Sequence, residues 1–458
     1  MIGRLAFRSL TAHPVRSAVL AAGFGVGVAV MAILLGVAAI VLEQAQSPAL
    51  VGGGDVNIRL SLAVPARVVL SGTLQSDALR PRVRAAAASH TTDLFLLRNG
   101  KATRVAARGG IPSVERELRD PEVTGIEAWR DTRADSEWTR QSPETVLRQI
   151  DRFHGVPDVP EWAGSWAEWL YFNGRSNDAR FYLTFMTGPR TKSGNRFASV
   201  RLQIERNGRM ESYSASTEAT DAEIAHAPDL VIGNNSVKLD GLVYRIHIDL
   251  ADISGRRAIG DLTLQASAGR LVPPIEIAGA RGWRTGYVVP VMSGALDGSL
   301  MVSNDQVSLA GGTGYHDHNW GFWEGVSWQW GQAQQGDLSV IYGRVFPPPE
   351  AADPERIPGF VGALGPDGPL GYSTDVRITE TNDEKGQPRT IAIRARSSSL
   401  TLDLKFDVAS TVTSRMQGAL ANGVNFLQMR GQYTVSGEAG TRKIAFTAPG
   451  AAETFRGN

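Results

Sequence analysis

The chain has no cysteine among its 458 residues. That absence removes disulfides, thiolate nucleophiles, Cys-ligated zinc and iron–sulfur clusters together. Charge of one sign is missing as well. The 47 Lys and Arg stand against 46 Asp and Glu, a net +1, so no electrostatic case exists for a nucleic-acid or acidic partner. Histidine is scarce, with seven in all. Beyond Trp166 no convincing amphipathic helix appears, and after residue 42 no second uncharged run reaches the ~20 residues of a membrane helix. No cofactor is expected.

One long apolar run is present. Residues 18–42, AVLAAGFGVGVAVMAILLGVAAIVL, carry no charge, and at ~1.5 Å per helical residue they exceed the ~30 Å hydrocarbon core. Arg4, Arg8 and Arg16 precede the run and Glu43 follows it. This reads as a single-pass anchor (1–45) in the cytoplasmic membrane, with the bulk of the chain extracytoplasmic. A cleaved signal peptide usually has a shorter apolar region, of ~7–15 residues. The segment LAFRSLTAHPVR (5–16), with GGGDVNI at 52–58, resembles the entry of FtsX/MacB-type ABC permease subunits. Such permeases need further membrane helices, so the chain looks like their anchor without the pore. Gly23 and Gly27 have the GxxxG spacing that lets another helix approach closely.

Residues 46–160 read as a small extracytoplasmic α+β domain and linker. TTDLFLLRNGKATRVAAR (91–108) predicts two strands around Asn99-Gly100, and SVERELRD (113–120) a short helix. Ser142-Pro143-Glu144 supplies an N-cap, a first-turn proline and an acid at the positive helix end, starting a helix that runs to about Phe153. His154, in the proline-bearing linker that follows, reads as a surface or packing residue.

The remaining two thirds are short alternating runs separated by Gly, Asn, Asp and Pro, such as SVRLQIER (199–206), VYRIHIDL (243–250) and SLTLDLKFDV (399–408). About sixteen strands fit, too many for one small barrel. Two consecutive barrels, 161–292 and 293–458, are the economical reading, because each half opens with an aromatic run ending near an Asn: Trp169 to Asn173, then His316 to Trp320. Within VYRIHIDL, His247 alternates with Ile246 and Ile248 and so faces water. His226, just before Pro228, reads as loop.

The chemistry concentrates in GGTGYHDHNWGFWEGVSWQWG (311–331). In an extended chain Tyr315, Asp317 and Asn319 share one face, and His316, His318 and Trp320 the other. Trp323 follows, and Trp328 and Trp330, two apart, place two indoles on one face. The run YHDHNWG and the strand after it resemble the signature of the lipocalin-like family that contains AttH proteins and the carotenoid hydratases (hydroxyneurosporene synthases). Glu168, Trp169, Leu170, Tyr171, Phe172 and Asn173 match a second family motif, with Leu170 where a Trp is common. The resemblance spans Trp166 to the C-terminus. It implies a mainly β fold of two tandem lipocalin-like barrels, with Asp317 as acid and Tyr315 as its positioning partner in hydration of an isoprenoid double bond. The auxiliary base expected in the preceding strand region is missing, since RGWRTGY (281–287) offers arginines and Trp283 instead of histidine.

Three readings of the signature stand open. Asp317 can be a general acid, if the indoles desolvate it enough to raise its pKa above the reference of ~3.9. His316 and His318 can be metal ligands, although the nearest further acid is Glu324 and no metal is expected. Or the motif is a hydrogen-bonded network without catalysis. At the level of function, one hypothesis is a membrane-anchored protein binding a polyene, terpenoid or lipid, with Glu168, Trp169, Tyr171, His316, His318, Asn319, Trp320, Trp323, Trp328 and Trp330 around the ligand. It hydrates or cyclises an isoprenoid double bond with Asp317. The other is a non-catalytic accessory subunit of an ABC exporter, partnered with permease and ATPase subunits.

Overall fold

The computed structural model describes residues 14–15, 31, 53–54, 56–58, 66–75, 79–98, 101–120, 130–139, 141–366, 368–415 and 424–457. The apolar run 18–42 (apart from Met31), the Gly23/Gly27 spacing and the Asn99-Gly100 turn lie outside these residues. Among the described residues no helix is long and apolar enough to cross a membrane.

The chain divides into two compact units, Met1–Arg59 with Ala85–Asp135, and Leu60–Arg84 with Ser136–Asn458. In the first, strands His90–Arg98 and Lys101–Gly109 form an antiparallel hairpin followed by the helix Pro112–Glu117. The buried carboxylates Glu115 and Asp120 both meet Arg108, Glu115 at 3.1 Å. The expected domain limit at 160 needs correcting, because residues 136–160 belong with the β-rich unit.

That unit holds a 12-stranded and a 9-stranded sheet, both barrel-like. The first closes on itself: Arg257–Gln265 pairs with both Arg284–Val302 and Val243–Ala251, and Val243–Ala251 returns to Arg209–Ala219 through Ser214 and Ala251. Its interior is filled by Leu170, Phe172, Leu183, Phe185, Val200 and their neighbours. The second sheet has its own core around Leu402, Leu404, Phe406 and Tyr433. A third cluster, including Tyr171, Tyr182, Tyr315, Trp330, Ile341 and Ala451, joins the outer face of the first sheet to the second.

The expected boundary at 292/293 is overturned by strand pairing. It falls inside the strand Arg284–Val302, and the signature strand Gly312–Phe322 lies in the first sheet, between Arg284–Val302 and the opening strand Trp166–Arg175. The two aromatic runs that suggested a repeat are instead adjacent strands. Tyr315, Asp317 and Asn319 stand opposite Asn173, Tyr171 and Trp169.

Burial explains why the strands read so differently in sequence. In Val243–Ala251, Tyr244, Ile246, Ile248 and Leu250 face the core while Arg245 and His247 face out, giving strict alternation. The opening and signature strands are covered on both faces, so neither shows a solvated side. The helix Pro143–Ile150 packs Val146, Leu147 and Ile150 into the first core. The Ser142 hydroxyl caps it, accepting from the Thr145 N–H at 3.1 Å.

Candidate active site

The alternation of the signature strand divides its side chains between two environments. Tyr315, Asp317 and Asn319 point toward the second sheet. His316, His318 and Trp320 point into the first barrel.

On the outward face, a cavity of about 550 Å³ lies between the sheets. Trp169, Tyr171, Tyr287, Asp317 and Asn319 line it from the first sheet, and Trp328, Trp330, Phe426, Glu453 and Phe455 from the second. A volume of this size, mostly apolar and with few convergent polar groups, is typical of small-molecule sites. Its aromatic wall is contiguous. Ring centroids are 4.6 Å apart for Trp169 and Trp323 and 4.1 Å for Trp328 and Phe455.

Asp317 sits at the end of a hydrogen-bond relay. The Trp330 indole donates to Tyr287 at 3.0 Å, the Tyr287 and Tyr315 hydroxyls are 2.6 Å apart, and Tyr315 donates to Asp317 Oδ2 at 2.9 Å. Asn319 donates to Oδ1 at 2.7 Å. Burial disfavours the ionised carboxyl and pushes its pKa well above the ordinary value. The Tyr315 bond opposes the shift, and the charge of Glu453 adds to it. Glu453 is the second carboxyl of the cavity. It accepts from the Tyr171 hydroxyl at 2.9 Å, and burial raises its pKa to about 7 against the hydrogen bonds of Tyr171, Gln428 and Trp328.

The inward face carries a separate buried network. Asp151, the C-cap of the helix Pro143–Ile150, accepts from His316 Nε2 at 2.8 Å and from the Tyr244 hydroxyl at 2.6 Å. His318 Nε2 donates to Glu168 at 2.8 Å, and Glu168 also accepts from the His154 backbone N–H at 2.9 Å and lies 2.7 Å from its Nδ1. Burial alone would lower the pKa of His318, but the hydrogen bonds and charges of Asp151 and Glu168 outweigh it and hold the imidazole at about 9. Burial would raise both carboxyls, but His316 and then His318 hold Asp151, and His154 and then His318 hold Glu168, below their usual range.

His316, His318, Trp320 and Glu168 therefore stand away from the cavity, whereas Tyr171, Asp317, Asn319, Trp169, Trp323, Trp328 and Trp330 meet there. Tyr315 supports Asp317 from behind. Glu324 is exposed; the acid that joins His318 is Glu168. Among the described residues, His154, Glu168 and His318 are the group whose donor atoms come close enough for a metal, within 4.8 Å of one another. Their hydrogen bonds already satisfy Glu168, so a cation would have to displace them. Sequence reasoning missed Glu453 and Asp151. The one signal for Glu453 was a lone acid in the otherwise small and apolar run APGAAETF (448–455).

No protein-family model matches the chain, and no curated protein matches it. Solved structures do. An AttH-type protein of Nitrosomonas europaea is 14% identical, over 63% of this chain and 92% of that one, with a TM-score of 0.43. Kievitone hydratase from Nectria haematococca is 15% identical over 67% and 93%, with a TM-score of 0.42. CghA, in a structure with Sch210972, is 10% identical over 69% and 95%, with a TM-score of 0.41.

Proposed function

We propose that the cavity between the sheets binds an elongated apolar molecule with a carbon–carbon double bond, of polyene or terpenoid type, and that Asp317 protonates that bond. The observation that carries this reading is a carboxyl whose pKa burial pushes well above its ordinary value, at the wall of an aromatic cavity, with Tyr315 and Asn319 fixing its orientation. A neutral carboxyl can donate a proton at pH 7; an ordinary aspartate cannot.

The alkene π pair forms a C–H bond with the Asp317 proton and leaves a cation on the adjacent carbon. The indole faces of Trp169 and Trp328 stabilise that cation. A water oxygen then forms the C–O bond, and its released proton passes to the Glu453 carboxylate. Return of a proton to Asp317 through water restores the site. In a cyclisation a second double bond takes the place of water, and Glu453 accepts the proton lost afterwards. Glu453 thus fills the role of the base absent from residues 281–287.

We further propose that residues 18–42 anchor the chain in the membrane, which suits a ligand that partitions into lipid. The test of the catalytic reading is incubation of the full chain with acyclic isoprenoid alkenes in ¹⁸O-water, followed by mass spectrometry. An alcohol carrying ¹⁸O, or a cyclised isomer of unchanged mass, supports it. Substrate returned unchanged across a panel that demonstrably binds would remove catalysis and leave a binding protein.

A further inference from the structure

The cavity also carries a positive charge that nothing in the reaction above uses. Arg201, on the strand Arg196–Arg206, lines the cavity between Ser199 and Gln203, which lie two residues to either side on the same face and line it too. Its guanidinium makes one hydrogen bond, from Nη2 to the Ser414 hydroxyl at 3.3 Å, and no carboxylate pairs with it among the described residues. Burial is the sole influence on its pKa, which is lowered, so the nearby acids do not compensate the charge. The other cavity arginine differs: Arg344 donates to the Pro354 carbonyl at 3.1 Å and lies 3.5 Å from Glu355.

An uncompensated, partly desolvated guanidinium is costly unless an anion meets it. Strand register places it relative to the acid. Asp317 stands opposite Tyr171, Tyr171 opposite Thr184, and Thr184 opposite Arg201, and all four line the cavity. Three interstrand steps separate the two ends of this row, about 14 Å at ~4.8 Å each. We infer that Arg201, with Ser199 and Gln203, forms an anion subsite for the carboxylate of an apolar chain whose reacting double bond lies about 14 Å away, against Asp317. A planar carboxylate matches the two-pronged guanidinium, and the hydroxyl and amide supply further donors. The inference rests on the ligand cavity proposed above and assigns its substrate class: a long-chain or isoprenoid acid rather than a hydrocarbon.

The test uses the full chain and a fluorescent polyene probe in two forms, cis-parinaric acid and its methyl ester, with binding read by energy transfer from tryptophan. Wild type should bind the acid ~10-fold or more tightly than the ester, as expected for a hydrogen bond to a charged group. Arg201→Gln should abolish that preference while leaving ester affinity unchanged, and Arg201→Lys should restore part of it. Equal affinity for both forms in wild type, or equal loss of both in Arg201→Gln, would overturn the anion subsite and leave the apolar cavity standing. Binding of neither form to folded wild type would overturn the cavity reading, and the subsite with it.

Discussion

Tyr171 of the first sheet donates its hydroxyl to Glu453 of the second, at 2.9 Å. The same tyrosine stands directly opposite Asp317 in the neighbouring strand, so one side chain separates the two carboxyls of the cavity and belongs to the surroundings of both. Each carboxyl has its pKa raised by burial, Glu453 to about 7 and Asp317 well above its ordinary value, so both are drawn toward the protonated form.

Asp317→Asn keeps the size of the side chain and loses the transferable proton. Turnover of an alkene substrate should fall by ~100-fold or more, the lower range for general acid catalysis. Ligand affinity and melting temperature should stay near wild type, because burial already disfavours the charged form of this carboxyl and the amide keeps its size. A large drop in melting temperature would mean that the carboxyl is structural.

Glu453 must be ionised to accept a proton, so activity should rise with pH through about 7, the value to which burial raises this group. Activity should fall again at higher pH as Asp317 loses its proton. Glu453→Gln should remove the rising limb in a pH–rate profile and leave the falling one. A limb that persists in the variant would assign it to another group.

Asp151 joins the helix Pro143–Ile150 to the barrel interior. Asp151→Asn leaves His316 and His318 buried beside a neutral amide, and breaking a buried pair in this way costs ~3–5 kcal/mol. Chemical denaturation should show a loss of that order. Asp240→Asn, at an exposed pair with Arg245, should leave stability near wild type.

His318 has its folded-state pKa raised from 6.5 to about 9. The folded state therefore holds its proton more tightly than the unfolded chain. This contribution to stability is fully present below pH 6.5 and is lost as pH rises through 9. Melting temperature should decline over that window in wild type, and less so in His318→Gln relative to that variant's own neutral value.

The sequence makes some of this visible and hides the rest for physical reasons. The alternation of Val243–Ala251 is legible because one face meets water. The two faces of the signature are legible too, since polar groups and rings interleave there at period two. What period two does not give is the partner across each face. Asp151 lies 165 residues from His316 and Glu453 lies 282 from Tyr171, so only the fold brings them together. The sheet boundary failed for a related reason. Trp169–Asn173 and His316–Trp320 resemble each other because they are neighbours in one doubly covered sheet, and a repeat of two barrels would leave a similar trace.

The double burial of the signature strand has a further consequence for how substitutions there would be tolerated. His316 and His318 carry the buried polar network and Trp320 packs its ring beside His318, whereas Asp317 and Asn319 face the cavity. Cavity lining and core packing are thus interleaved along a single stretch of chain at a spacing of one residue. A complete mutational scan of 315–320, scored separately for expression and for ligand turnover, should resolve into two combs offset by one position. A one-residue insertion would exchange the two roles and lose both.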